Sequence, residues 1–156
     1  MLSMRTVREA LAGLGLLLLC ASLATHWRDL PSRVPVHFDL TGHPDGFGSK
    51  TILLLLPAVS VLLYVVLTVA ARYPAYFNFP APVTDSNRQT LRILAIDMLG
   101  WLKAEVMCIF AWLTFASFST AAGHRSGLGT AFAPLAIGVV AATIALFWYR
   151  MFQTRT

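Results

Sequence analysis

Charge is what this 156-residue chain has least of. Only 12% of its residues are Asp, Glu, Lys or Arg, whereas 57% are hydrophobic, and an ordinary soluble domain carries roughly twice that charged share. With a mean hydropathy of +0.68, the composition excludes a typical soluble domain and fits a small integral membrane protein. Cysteine is almost as scarce. Cys20 and Cys108 both lie inside apolar runs, which excludes a secreted disulfide framework and a Cys-based zinc site; both are expected to be small core residues. There is no long charge run, internal repeat or nucleic-acid motif. The net charge of +5 comes from basic residues scattered at the ends of apolar runs, where they set membrane orientation and do not form a nucleic-acid patch.

Four apolar runs are present instead, near Val7 to Thr25, Thr51 to Ala71, Ala104 to Ala122 and Ala131 to Tyr149. Each is close to the roughly 20 residues that a helix needs to cross about 30 Å of hydrocarbon. The expected architecture is an all-α bundle of four transmembrane helices over 7–25, 51–71, 93–122 and 131–149. It has a compact extracytoplasmic first loop (26–50) and a cytoplasmic connection (72–92). The first run also has the features of a cleavable signal peptide, with Arg5 and Arg8 before it and Ser22-Leu23-Ala24 as a small-x-small site. The positive-inside rule sets Arg5, Arg8, Arg72, Arg88, Arg92, Arg150 and Arg155 against Arg28, Arg33, Lys50 and Arg125. Both termini are therefore expected inside a bacterial cytoplasmic (inner) membrane. Trp27, Trp148 and Tyr149 sit at span ends, where amphipathic rings prefer the headgroup level.

Local chemistry supports these boundaries. Pro31 and Pro35 disfavour helix in the first loop, and Thr41-Gly42 and Pro44-Asp45-Gly46 read as consecutive turns. Pro57, six residues into the second span, predicts a kink. Asp85 or Ser86 is expected to cap a third helix that starts near residue 86 and projects from the bilayer, with Ser86 and Gln89 at capping-box spacing.

Chemistry concentrates in two places. In the first loop His37, Asp39, His43 and Asp45 repeat a His-x-Asp spacing; a turn at Thr41-Gly42 that joined the pairs would create a divalent-metal site. The spacing lacks the helical arrangement of zinc proteases, and turn formation by Asp39 and Asp45, with Lys50 anchoring the second span, accounts for the same residues. In the third helix Asp97, Lys103 and Glu105 are intramembrane polar candidates. At 100° per residue Asp97, Trp101, Glu105 and Cys108 share one stripe, and Arg92, Lys103 and Phe110 a nearly opposite one. Gly13 and Gly15 permit close packing of the first span without the small-xxx-small pattern. The Gly123 to Gly129 stretch reads as the outer hairpin before the fourth span.

Pro35-Val36-His37-Phe38-Asp39, Gly42, Pro44-Asp45 and Phe47-Gly48-Ser49-Lys50 followed by a span resemble the domain of unknown function 1648 family, whose representatives include SdpI-type immunity and signalling membrane proteins. Arg72-Tyr73-Pro74, Phe77-Asn78-Phe79-Pro80 and Asn87-Arg88 leading to Met98, Leu102 and Lys103 extend the resemblance over roughly residues 5–115. It implies ligand or partner binding through His37, Gly42, Asp45 and Lys50 outside and Asn78 inside, with Asp39 at a position where small polar residues are common. The expected function is a non-enzymatic immunity, sensing or accessory protein that recognises a peptide, a lipid-like ligand or a membrane partner, with no cofactor and no nucleic acid. Self-association into a homo-oligomer is left open. The rival is a metal-dependent membrane enzyme or proton-coupled transporter that uses His37, Asp45 and Glu105.

Overall fold

The computed structural model describes residues 3–154. Arg155, counted above among the inner charges, lies outside them. The chain forms four helices, α1 (Met4–His26), α2 (Leu55–Ala70), α3 (Arg88–Ala121) and α4 (Phe132–Gln153), and a two-stranded antiparallel hairpin of β1 (Arg33–Phe38) and β2 (Pro44–Ser49). The fold is mostly helical but not all-α, because the first loop pairs as strands. Pro44-Asp45-Gly46 lies within β2 and does not make a second turn. Three helical segments, Met4–His26, Lys50–Ala70 and Phe132–Gln153, are long and apolar enough to cross a membrane. α3, with Asp97, Lys103 and Glu105 along it, is not among them.

α3 is the central element. Arg8 abuts Gly100, Gly15 abuts Met107 and His26 stacks on Phe118, all at one sequence offset, so α1 runs parallel to α3. Its buried positions Arg8, Ala12, Gly15 and Leu19 follow the four-three-four spacing of a helix seam. Gly15 is required there, because a Cβ would stand 2.9 Å from the Met107 carbonyl carbon, whereas Gly13 has nothing within 4 Å. Cys20 and Cys108 are exposed and free, not core residues; both sit off this seam. α2 and α4 run antiparallel to α3, as the contacts Lys103 to Thr68 and Glu105 to Thr143 require together with the packing of Leu53 on Phe118 and Phe147 near Ala95.

Two boundaries differ from expectation. A short 3-10 helix, Lys50–Leu54, precedes α2, so Pro57 falls in the first α-helical turn, where a missing N–H breaks no bond; no kink is needed. The N-cap of α3 is Asn87, with no side-chain cap bond. Its buried amide is used differently: Oδ1 accepts from Thr84 N at 2.8 Å, and Nδ2 donates to Pro82 O at 2.9 Å and Thr154 O at 3.2 Å. Asn87 thus ties the α2–α3 connection to the end of α4, the kind of full satisfaction a buried amide demands.

Candidate functional site

The hairpin builds the first cluster. β1 and β2 pair from Arg33↔Ser49 to Phe38↔Pro44, with bulges on either side of His37. Gly46 lies opposite His37, and a Cβ there would stand 2.9 Å from the His37 Cβ; glycine therefore lets the imidazole lie across the neighbouring strand. The ring reaches Asp45, whose carboxylate accepts from His37 Nδ1 at 2.5 Å. This pair is open to solvent, with His37 71% and Asp45 47% exposed.

Asp39 does the opposite work. Its Oδ1 accepts from Thr41 N at 2.9 Å, Thr41 Oγ1 at 2.6 Å and His43 N at 2.9 Å, which makes it the organiser of the hairpin turn. With the Thr41 hydroxyl proton committed to Asp39, His43 Nδ1–H donates to Thr41 Oγ1 at 2.9 Å. The Thr41 hydroxyl foremost, then the His43 amide, holds the Asp39 carboxyl below its ordinary value of 3.8. A lowered folded value means that these bonds act in full above the ordinary value and are lost as pH falls through the lower one. In an NMR titration the Asp39 side-chain carboxyl carbon shift is expected to move with a midpoint below pH 3.8. Movement centred above pH 3.8 contradicts the assignment.

The two His-x-Asp pairs therefore do not merge. His37 pairs with Asp45 while Asp39 and His43 shape the turn, and among the described residues no group of three or more His, Cys, Asp or Glu is placed to hold a metal ion. The four-ligand arrangement of His37, Asp39, His43 and Asp45 does not form, because the strands carry the pairs to separate places. Lys50 is also committed: Nζ donates to Trp27 O at 3.2 Å and Leu30 O at 3.4 Å, and lies 5.2 Å from the Trp27 ring centroid. It satisfies carbonyls just past the end of α1.

The hairpin is a fixed cap. At its tip Gly42 O accepts from Leu128 N at 2.8 Å, and Gly42, Gly127 and Gly129 all have positive φ (82°, 151° and 93°). A Cβ on Gly127 would overlap the Gly42 carbonyl oxygen, and one on Gly42 would stand 2.6 Å from Gly129 O. The glycines after α3 thus latch the cap, a role that sequence reading missed because the partner glycines lie more than 80 positions apart. Beneath the cap is a cavity of about 310 Å³, with His37 at its rim and Ile52, Leu56, Leu113 and Leu128 among its walls.

The intramembrane candidates resolve into two ion pairs and one hydrogen bond. Arg8 Nη2 meets Asp97 Oδ1 at 2.6 Å. Lys103 Nζ donates to both Glu9 oxygens, at 3.0 and 2.7 Å, and to Thr68 Oγ1 at 3.0 Å. The two stripes were not opposed in function: α1 packs on the face between them, centred on Gly100, and reaches both. Glu9 escaped the sequence reading, though an adjacent Arg8-Glu9 of opposite sign facing Asp97 and Lys103 is a readable match. Glu105 turns to α4, where Thr143 Oγ1 donates to its Oε1 at 2.5 Å, and its Oε2 is buried without a hydrogen-bond partner. Asn78 is exposed and apart from all of these, on a cavity of about 360 Å³ beside Phe77, Phe79 and Met98.

Helices of membrane-spanning length with a latched hairpin cap define a membrane protein. Residues 14–61 match the family described as Domain of unknown function (DUF1648), a range that runs from within α1 through the hairpin into α2. An uncharacterized protein of Archaeoglobus fulgidus is 41% identical over 63 residues, covering 35% of this chain and 34% of that protein. The chain thus spans about a third of the length of the curated relative it matches. The Arg72 to Lys103 block lies outside the residues matched to the family. No solved structure matches.

Proposed function

We propose that this chain is a non-enzymatic sensing, immunity or accessory protein of the cytoplasmic membrane that recognises an amphipathic ligand, a peptide or a lipid-like molecule, at its hairpin cap. The observation that carries this reading is the exposed His37–Asp45 pair at the rim of the apolar cavity under the hairpin. The pair offers hydrogen bonds and charge to a polar end, while Ile52, Leu56 and Leu113 offer burial to an apolar one. Latching by the glycines after α3 favours recognition, because a surface held in place before binding loses little entropy on binding. In this reading α3 crosses as a fourth span, supported by its parallel and antiparallel neighbours, and the arginine distribution puts the cap outside and both termini inside. The SdpI-type resemblance is compatible with it.

The test separates recognition from folding. His37→Ala and Asp45→Ala are expected to leave membrane abundance and thermal unfolding within about 0.5 kcal/mol of the parent, as for exposed positions, while ligand-dependent crosslinking at the cap falls at least tenfold. Equal loss of abundance makes the pair a folding element.

The transporter reading has one observation in its favour. Glu105 Oε2 is an unmet acceptor, and Glu105 lines an otherwise apolar cavity of about 440 Å³ between α3 and α4, a costly arrangement that is common on ion and proton paths. pH-coupled movement of a solute that disappears in Glu105→Gln would establish it.

A further inference from the structure

A second polar site lies at the opposite end of the bundle from the cap. A cavity of about 240 Å³ opens between the start of α1, the last turn of α2 and the first half of α3, with Arg5, Arg8, Arg72 and Lys103 on its walls. Two of these cations are already matched, Arg8 by Asp97 and Lys103 by Glu9. Arg5 and Arg72 are exposed and have no ion-pair or hydrogen-bond partner among the described residues, which leaves the site two positive charges in excess. Arg8, itself only 4% exposed, also keeps a buried Nε–H with no acceptor. An unmet buried donor is costly, and a guanidinium donor is best met by an anionic oxygen. Glu9 and Thr68 also line it, both bonded to Lys103, and Leu67, Ala71, Ile96 and Leu99 supply its apolar wall.

The geometry points to this cavity as a binding site for the phosphodiester of an anionic phospholipid, taken from the leaflet at which α1 begins. One phosphodiester supplies oxygens to the surplus guanidiniums of Arg5 and Arg72, in the manner of bidentate arginine–phosphate contacts, beside the Arg8 guanidinium on the same wall. The apolar walls accept the start of the acyl chains, which an inorganic phosphate lacks. Basic clefts between helices at a membrane face recognise headgroups by this chemistry.

The experiment is lipid binding by the full chain in uncharged detergent, followed by native mass spectrometry, with phosphatidylglycerol compared with phosphatidylcholine and with inorganic phosphate as competitor. Phosphatidylglycerol is expected to bind at least tenfold more tightly than phosphatidylcholine, and millimolar phosphate is expected not to displace it. Arg5→Gln with Arg72→Gln abolishes the preference, whereas Arg28→Gln with Arg33→Gln, the same change of charge at the cap end, retains it. In the unsubstituted protein, phosphatidylglycerol but not phosphatidylcholine slows phenylglyoxal modification of Arg72 at least tenfold, a readout that needs no variant to fold. Equal binding of the two lipids, survival of the preference in the Arg5 and Arg72 variant, or unaltered modification of Arg72 overturns the site. Displacement by phosphate overturns its assignment to lipid.

Discussion

Lys103→Met is expected to destabilise the protein by about 3 kcal/mol in detergent unfolding, the lower end of the range for breaking a buried ion pair, because Glu9 retains some exposure. The ammonium is 4% exposed and gives its three protons to Glu9 and Thr68. Removing it strands the Glu9 carboxylate against α3. The diagnostic comparison is the double variant Glu9→Gln with Lys103→Met, which deletes both charges and is expected to recover to within about 1 kcal/mol of the parent, since two neutral groups carry no desolvation debt. Additive losses in the double variant would contradict the pairing and leave Lys103 acting by its shape alone.

The second large effect belongs to the latch. Gly127 has φ 151°, and a Cβ at that position would overlap the Gly42 carbonyl oxygen, a backbone atom that cannot swing aside as a side chain can. Gly127→Ala therefore adds backbone strain of about 1–3 kcal/mol and breaks the Leu128 N to Gly42 O bond, worth about 1 kcal/mol. The loss is expected to be local. Hydrogen exchange at the Leu128 amide and protease cleavage within residues 38–44 should both increase, while the ion pairs between α1 and α3, at the far end of the bundle, stay intact. Gly123→Ala is the matching control, because nothing lies within 4 Å of its Cβ position, so only the strain of its φ of 75° is added. If Gly127→Ala leaves exchange at Leu128 unchanged, the cap is not held by the latch.

These two regions also show what the sequence made legible. Apolar runs marked the place of every helix, with α1, α3 and α4 extending beyond them, and three of the four are long and apolar enough to cross hydrocarbon. The hairpin was hidden. Pro35, Gly42 and Gly46 read as breakers or turn residues, yet Gly46 lies within β2, where His37 occupies the space of its side chain. Asp97 and Lys103 were identified as exceptional, but helical-wheel angles alone set them on different faces. Only the docking of α1 at Gly100, where a Cβ would stand 2.4 Å from Arg8 Nε, brings Arg8 and Glu9 to both. The alternative of a four-ligand metal site is not realised for a related reason: His-x-Asp repeats describe spacing along the chain, and antiparallel pairing with bulges decided which members met.

Recognition at the cap is the central claim, and photocrosslinking tests it most directly. A photoreactive residue replaces Phe47, which is 52% exposed on β2 two positions from Asp45, and the same probe at Leu62 on the exposed face of α2 reports ordinary lipid contact. Irradiation of native membranes is expected to give a discrete adduct at position 47 that Asp45→Ala removes and that position 62 never forms. Identical adducts at 47 and 62, unaffected by Asp45→Ala, would contradict recognition and leave the hairpin a structural lid.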